Sequence, residues 1–155
     1  MLDRVNVKPR LYLDTSVISA HVDHRLPERR RATLEFWERL MGYEVSISEL
    51  TLVEARATAD AVLREQLVAL VTDFRVLPVE QAARDLAQEY VRRGVFSPAM
   101  AIDSLHVAIA VVTRQDILVS WNFRHLVNRR RRALVNEVNI LTRYPAIEIL
   151  APPEV

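Results

Sequence analysis

Short apolar runs alternate along this chain with longer segments in which apolar residues recur at helical spacing, the pattern of an α/β protein. Leu11, Tyr12 and Leu13 read as a buried strand that ends in the polar residues Asp14, Thr15 and Ser16. From Arg29 to Met41, Leu34, Trp37 and Leu40 keep helical spacing among arginines and glutamates, and Gly42 offers a stop. Val45 to Ile47 predicts a second strand. Thr51 to about Val71 predicts one long helix, with Leu52, Ala55, Val62, Leu63 and Leu67 on its apolar stripe. Phe74 to Val79 is strand-like, but Pro78 confines it to an edge or a connection. Glu80 to Val95 then predicts an amphipathic helix that ends near Gly94.

Ser97 and Pro98 form a helix-start signal, Ser at the N-cap and Pro at the first helical position, ahead of AMAIDSLHVAIAVV. This helix is apolar nearly all round, so it is expected to be buried, and its polar members Asp103, Ser104 and His106 become the informative ones. Ile117 to Val119 predicts a strand ending in Ser120, Trp121 and Asn122. Asn128 caps a helix from Arg129 to about Leu141, and Ile147 to Leu150 forms a last strand. Alternating strands and helices without hairpin signals indicate a parallel α/β sandwich.

Composition narrows the class. The 155 residues, half of them hydrophobic, suit one compact domain spanning 1–155. With no cysteine, disulfides and thiolate metal sites are excluded, and any metal must take oxygen or imidazole ligands. The opening MLDRVNVKPR lacks an apolar signal core, and no apolar run approaches the roughly 20 residues of a membrane span, so a soluble cytoplasmic protein is expected. The net charge is only +1, so binding of a polyanion would rest on local basic clusters.

Ligands of parallel α/β sheets sit beyond the carboxyl ends of the strands, which makes Asp14 a site candidate. An aspartate capping the next turn or helix is the competing reading. Asp103, in an apolar helix, would lose its water on burial and should face something positive; bonding to a neighbour such as His106, three residues on, is the structural alternative. Glu54 ends TLVE, where Thr51 and Glu54 also fit an S/T-x-x-E capping box. Three carboxylates gathered at one sheet edge would repel one another, and a hard divalent cation, Mg2+ or Mn2+, would relieve this. Asn122 could bond a carboxylate or a metal-bound water. His106 reads as a packed core histidine, and His125 lies between packing and site contact. Arg29 to Arg31 and Arg129 to Arg132 both open helices, where the dipole disfavours cations, so these runs read as phosphate-attracting surface or as solvated faces. Thr15, Ser16, Ser120, His125, Arg129 and Arg130 are the candidate substrate contacts.

The segments LYLDTSVIS, ISELTLVEA, SPAMAIDSLHVAIA and ILVSWNFRHLVN, in that order and spacing, resemble the PIN-domain nucleases, particularly the VapC-like toxins of bacterial toxin–antitoxin pairs. The resemblance runs from Leu11 nearly to the end of the chain. It implies a three-layer α/β/α sandwich on a mainly parallel sheet, and Mg2+- or Mn2+-dependent cleavage of single-stranded RNA. By the same resemblance Asp14, Glu54 and Asp103 would hold the metal, with Asn122 as a catalytic helper. A small antitoxin and a homodimer are the implied partners. Many members carry a fourth acid at the position of Asn122 or of His125; neither is acidic here, so one weakly held ion is expected rather than two. The rival reading is a catalytically silent RNA- or protein-binding module. A small-molecule phosphatase is disfavoured because Thr15 and Ser16 follow Asp14 where a second acid would be needed.

Overall fold

The computed structural model describes residues 7–155; residues 1–6, part of the leading stretch read above as lacking a signal core, lie outside it. Strands β1 (Arg10–Leu13), β2 (Glu44–Ser48), β3 (Arg75–Leu77), β4 (Ile117–Val119) and β5 (Glu148–Leu150) pair in the order β3-β2-β1-β4-β5. Every pair is parallel, with Tyr12 beside Ser46 on one side and Leu13 beside Val119 on the other. An all-parallel sheet must be covered on both faces, because its crossovers put helices there. Helices α1 (Thr15–Val22), α2 (Pro27–Glu38), α3 (Glu49–Arg56) and α4 (Ala61–Leu70) pack on one another, while α5 (Gln81–Arg92) packs against α6 (Ala101–Val112) and α7 (Arg129–Leu141). The result is the expected three-layer α/β/α sandwich. Leu11, Leu13, Ile47, Leu118 and Ile149 of the sheet are fully buried between these layers. Among the described residues, no helix is long and apolar enough to cross a membrane.

Several local expectations are corrected. The long helix expected from Thr51 to Val71 is two helices, since α3 ends at Arg56 and Asp60 opens α4 by accepting the Leu63 amide at 2.9 Å. The capping box is shifted: Ser48 is the N-cap of α3 and Thr51 its third helical residue, so Glu54 caps nothing. A helix, α1, follows Asp14 directly. In α2, which starts at Pro27, the buried residues are Thr33 and Phe36, with Ala32 and Trp37 packed against the core, so the buried face lies one residue earlier than the one read. The strand-like stretch from Phe74 to Val79 is strand only over Arg75–Leu77; it lies at the sheet edge and stops just before Pro78. Gly94, at φ +76°, closes α5 in the left-handed conformation that only glycine adopts cheaply, and the Val95 amide reaches back to the Tyr90 carbonyl at 2.9 Å.

The last layer is tied in by a polar line through the core. Tyr90 of α5 donates to the Asn139 side-chain oxygen Oδ1, Asn139 Nδ2 donates to Asn136 at 3.2 Å, and the Asn136 side chain both donates to the Ile147 carbonyl and accepts the Ile147 amide. Asn139 is fully buried, so removing its amide leaves buried groups without partners. Asn139→Ala is expected to lower stability by about 2–3 kcal/mol, read as a fall in the urea midpoint with an unchanged m-value.

Candidate active site

The strand order turns round between β1 and β4, since the chain leaves β1 for β2 on one side and returns to β4 on the other. Such a switch point opens a crevice at the carboxyl ends of the two strands, where ligands of open α/β sheets bind. Asp14 follows β1 into this crevice, and Ser120 to Asn122 follow β4.

Asp14 is both cap and site residue, so the two readings of it hold together. Its Oδ1 accepts the Ser16 amide at 3.0 Å, the Ser16 hydroxyl at 2.5 Å and the Val17 amide at 3.4 Å at the start of α1. It is only 5% exposed. Burial pushes its pKa up; the charge of His106, the hydroxyls of Ser120 and Ser16 and the Val17 amide pull it back without cancelling the rise. The Ser16 hydroxyl also accepts the Trp121 amide at 2.9 Å, which clamps the end of β4 onto the end of β1.

Glu54 projects from α3 into a buried line of hydrogen bonds. Its Oε1 accepts the Thr15 hydroxyl at 2.9 Å and lies 2.6 Å from Nε2 of His106. Nδ1 of the same ring lies 2.6 Å from the Tyr12 hydroxyl, itself 2.8 Å from Ser48 Oγ. Donation from Tyr12 to Nδ1 and from Nε2 to Glu54 would satisfy both ends of the ring. Tyr12 is fully buried, and desolvation holds its hydroxyl well above its ordinary pKa, so it stays a donor. Desolvation raises Glu54 as well, but the bond and charge of His106, with Thr15, leave its carboxyl below the ordinary value.

Asp103 lies in the first turn of α6 and is partly open, its side chain 24% exposed. Deep burial of a carboxyl, expected at Asp103, is found at Asp14 instead. Nor does Asp103 bond His106, whose ring turns to Glu54. Its partner is His125, with Nδ1 2.8 Å from Oδ2, and Asn122 Nδ2 donates to Oδ1 at 3.4 Å. Asn122 Oδ1 in turn accepts the His125 amide at 2.9 Å, so one tight turn after β4 sets both partners of Asp103.

The first arginine run is mostly spent on structure. The Arg29 guanidinium lies 5.3 Å from the Trp121 ring centre, Arg30 donates to the His21 carbonyl at 3.0 Å, and Arg31 lies 3.9 Å from Glu35. In the second run Arg132 pairs with Glu154 at 3.1 Å, and Arg129 is exposed. Arg130 and Arg131 line a cleft with Arg124, a residue that sequence reasoning did not single out. Tyr12 and Ser48 were missed too; the signal for Tyr12 was a polar tip in the middle of a buried strand.

The sequence matches the PIN domain over residues 11–125, a stretch that contains Asp14, Glu54, Asp103, Asn122 and His125. The chain belongs to the PIN domain family. Among solved structures, this PIN domain is similar to VapC20 of Mycobacterium tuberculosis, described as a sarcin-ricin loop cleaving toxin, at 17% identity and TM-score 0.55, over 70% of this chain and 86% of that one. FitAcB from Neisseria gonorrhoeae is similar at 14% identity and TM-score 0.60, covering 94% of this chain and 99% of its own. VapBC2 from Rickettsia felis, solved on a DNA fragment from its promoter, matches at 14% identity and TM-score 0.55, over 91% and 97%. At these identities the structures show the fold. No curated protein matches the chain.

Among the described residues, no three His, Asp or Glu side chains form a compact ligand cluster. The donor chemistry nevertheless suits a hard cation. The hydrogen bonds given above fall on Oδ1 of Asp14 and Oε1 of Glu54, whereas both oxygens of Asp103 are engaged, by Asn122 and His125; magnesium takes only one or two carboxylates beside waters and phosphate oxygens.

The raised pKa of Asp14 has a signed consequence. The folded protein holds this proton more firmly than the unfolded chain, so the group's contribution to stability falls as pH rises from the ordinary aspartate value, about 3.9, through the raised folded one. Asparagine keeps the acceptor for the Ser16 and Val17 amides and carries no charge. Asp14→Asn should therefore unfold at higher urea than the wild type at pH 7, with the gap closing at the acid end of that window; equal midpoints at pH 7 would contradict the desolvation argument.

Proposed function

We propose that this PIN domain is a divalent-metal-dependent endoribonuclease that cuts single-stranded RNA and serves as the toxin of a toxin–antitoxin pair. The observation that carries the reading is the placement of Asp14, Glu54, Asp103 and Asn122 around the switch point between β1 and β4. PIN-domain nucleases generally use divalent metal ions, and the names of the toxin and toxin–antitoxin structures that share the fold support both the activity and an antitoxin partner. Asp14, Glu54 and Asp103 would hold the ion. When bound, it would neutralise phosphate charge and lower the pKa of a water that attacks the phosphodiester.

The chain's own residues do the rest. Thr15 and His106 fix the Glu54 carboxyl, and Asn122 and His125 fix that of Asp103, so neither acid has to be ordered when substrate arrives. Ser16 and Ser120, read from sequence as substrate contacts, are spent on the strand ends instead: the Ser16 hydroxyl holds Asp14 and the Trp121 amide, and the fully buried Ser120 accepts the Asn122 amide at 3.0 Å, while Arg129 and Arg130 supply positive charge at the start of α7. Because Asn122 and His125 stand where other members carry an acid, one ion is expected. A homodimer fits the same reading.

A specific observation favours the rival, a silent RNA- or protein-binding module: Glu54 and Asp103 each already have a histidine partner. Asp103→Asn separates the two. The nuclease reading expects RNA cleavage in Mg2+ or Mn2+ to fall by about 100-fold or more with the fold intact, and His125→Ala, which removes only a supporting bond, to cost about 10–100-fold. Unchanged cleavage in Asp103→Asn would sink the assignment. Calorimetric titration of the wild type with Mn2+ should give a stoichiometry of one, and two tight ions would overturn the single-ion expectation.

A further inference from the structure

A cleft of about 380 Å³ opens beside the candidate active site, between the segment leading into α6, the turn after β4 and the first turns of α7. Arg124, Arg130 and Arg131 all line it, with Ser97, Met100 and Leu134 among the other walls, and no acidic residue does. We propose that this cleft is a phosphate subsite that anchors the RNA strand one or more nucleotides away from the bond being cut; the inference rests on the nuclease reading above.

Holding guanidinium groups together is unfavourable unless an anion meets them. Neighbouring arginines show the contrast. Arg132 has Glu154 at 3.1 Å, whereas Arg124, Arg130 and Arg131 form no ion pair among the described residues. Arg131 is also held in place, its guanidinium 4.7 Å from the Phe96 ring centre and 3.7 Å from the Met100 sulfur, with its backbone amide bound to the Asn128 cap at 2.8 Å. Partial burial and the neighbouring Arg130 both press its pKa downward. A pre-ordered fork of this kind loses little freedom when it takes phosphate oxygens two at a time. Ser97 occupies an N-cap position, yet its side chain caps nothing, which leaves a hydroxyl in the cleft wall free to donate.

The cleft is joined to the cutting residues. Asn128 donates through its side chain to the carbonyls of Phe123 and Arg124, at 3.1 and 3.3 Å, and Arg124 immediately precedes His125, the partner of Asp103. The charge of Asp103 is felt at Arg131. An anion in the cleft thus sits on the same rigid turn that positions Asp103, as a continuous strand with repeated phosphates would require. A carboxylate-bearing protein segment could use the same guanidinium chemistry, and the experiment includes it.

The test uses the full chain and the double variant Arg124→Ala with Arg130→Ala, two exposed positions whose loss spares the core. Binding of a short fluorescein-labelled single-stranded RNA is followed by anisotropy in EDTA across a salt series, and cleavage is followed separately in Mg2+. Each lost phosphate contact should reduce the slope of log K against log salt by about 0.7. The double variant should bind about 10-fold more weakly with a shallower slope, and its KM should rise while kcat at saturating RNA holds. Wild-type affinity and slope in the variant would overturn the subsite and leave the nuclease assignment standing. A glutamate-rich peptide that binds the wild type more tightly than RNA, and loses that binding in the variant, would give the cleft to a protein partner instead. A wild type that neither binds nor cuts RNA would remove both readings, a failure seen without the variant.

Discussion

The arrangement of the site depends on one costly act, the burial of the Asp14 carboxylate at the end of the central strand. An ionised carboxyl in that place must be met by donors, and the chain supplies them locally: the first amides of α1 and the Ser16 hydroxyl. Ser16 then accepts from the Trp121 amide, so the group that compensates Asp14 also joins the two strands whose divergence opens the crevice. Helix start, strand junction and acid position are therefore one constraint. Moving Asp14 by a residue would remove the cap from α1 and the clamp from β4 together.

Two histidines settle the remaining acids in different ways. His106 is buried and is itself fixed by Tyr12 and Ser48, so the direction of Glu54 is set from inside the sheet. His125 is on a surface turn, and its hold on Asp103 depends on the backbone of that turn, stapled by Asn122 and Asn128. At the position of His125 a fourth carboxylate would repel Asp103 unless a cation lay between them. An imidazole there donates to Asp103 instead. This explains how the acids come to hydrogen-bond balance within the protein and why they do not crowd into a ready-made ligand cluster.

The order of elements was legible because each strand and helix carries its own period, and the parallel sheet follows from strands that alternate with helices. The N-cap Asn128 and the edge position of the third strand were legible for the same local reason. What failed was anything decided across the fold. The break between α3 and α4 is set by Asp60, a modest cap inside a stretch whose apolar period never lapses. The depth of Asp103 could not be read from an apolar helix, because its first turn emerges at the crevice while the later turns are covered. His106 looked like a core residue and is one, but only the folded chain, which brings α6 to Tyr12 of β1 and Glu54 of α3, shows that its two nitrogens link them. The arginine runs looked equivalent in sequence; Trp121, His21 and Glu35 absorb the first, and no local pattern announces that.

Helix starts near the crevice carry opposite charge, and this asymmetry bears on what the site can hold. Asp14 caps α1 and Asp103 lies in the first turn of α6, where the amide dipoles favour negative charge. The start of α7 carries arginines instead, against the dipole, with only Arg132 matched by an acid among the described residues. On the acidic side the field draws a cation, and on the basic side backbone amides and guanidinium groups act together on an anion. A free carboxylate or a lone metal ion would satisfy one side and be repelled or ignored by the other. On the function proposed above, a phosphodiester strand would meet both conditions, since one phosphate would share a cation with the acids while its neighbour would rest on the arginines. The ligand class is thus constrained more tightly by the pairing of the two surfaces than by either alone.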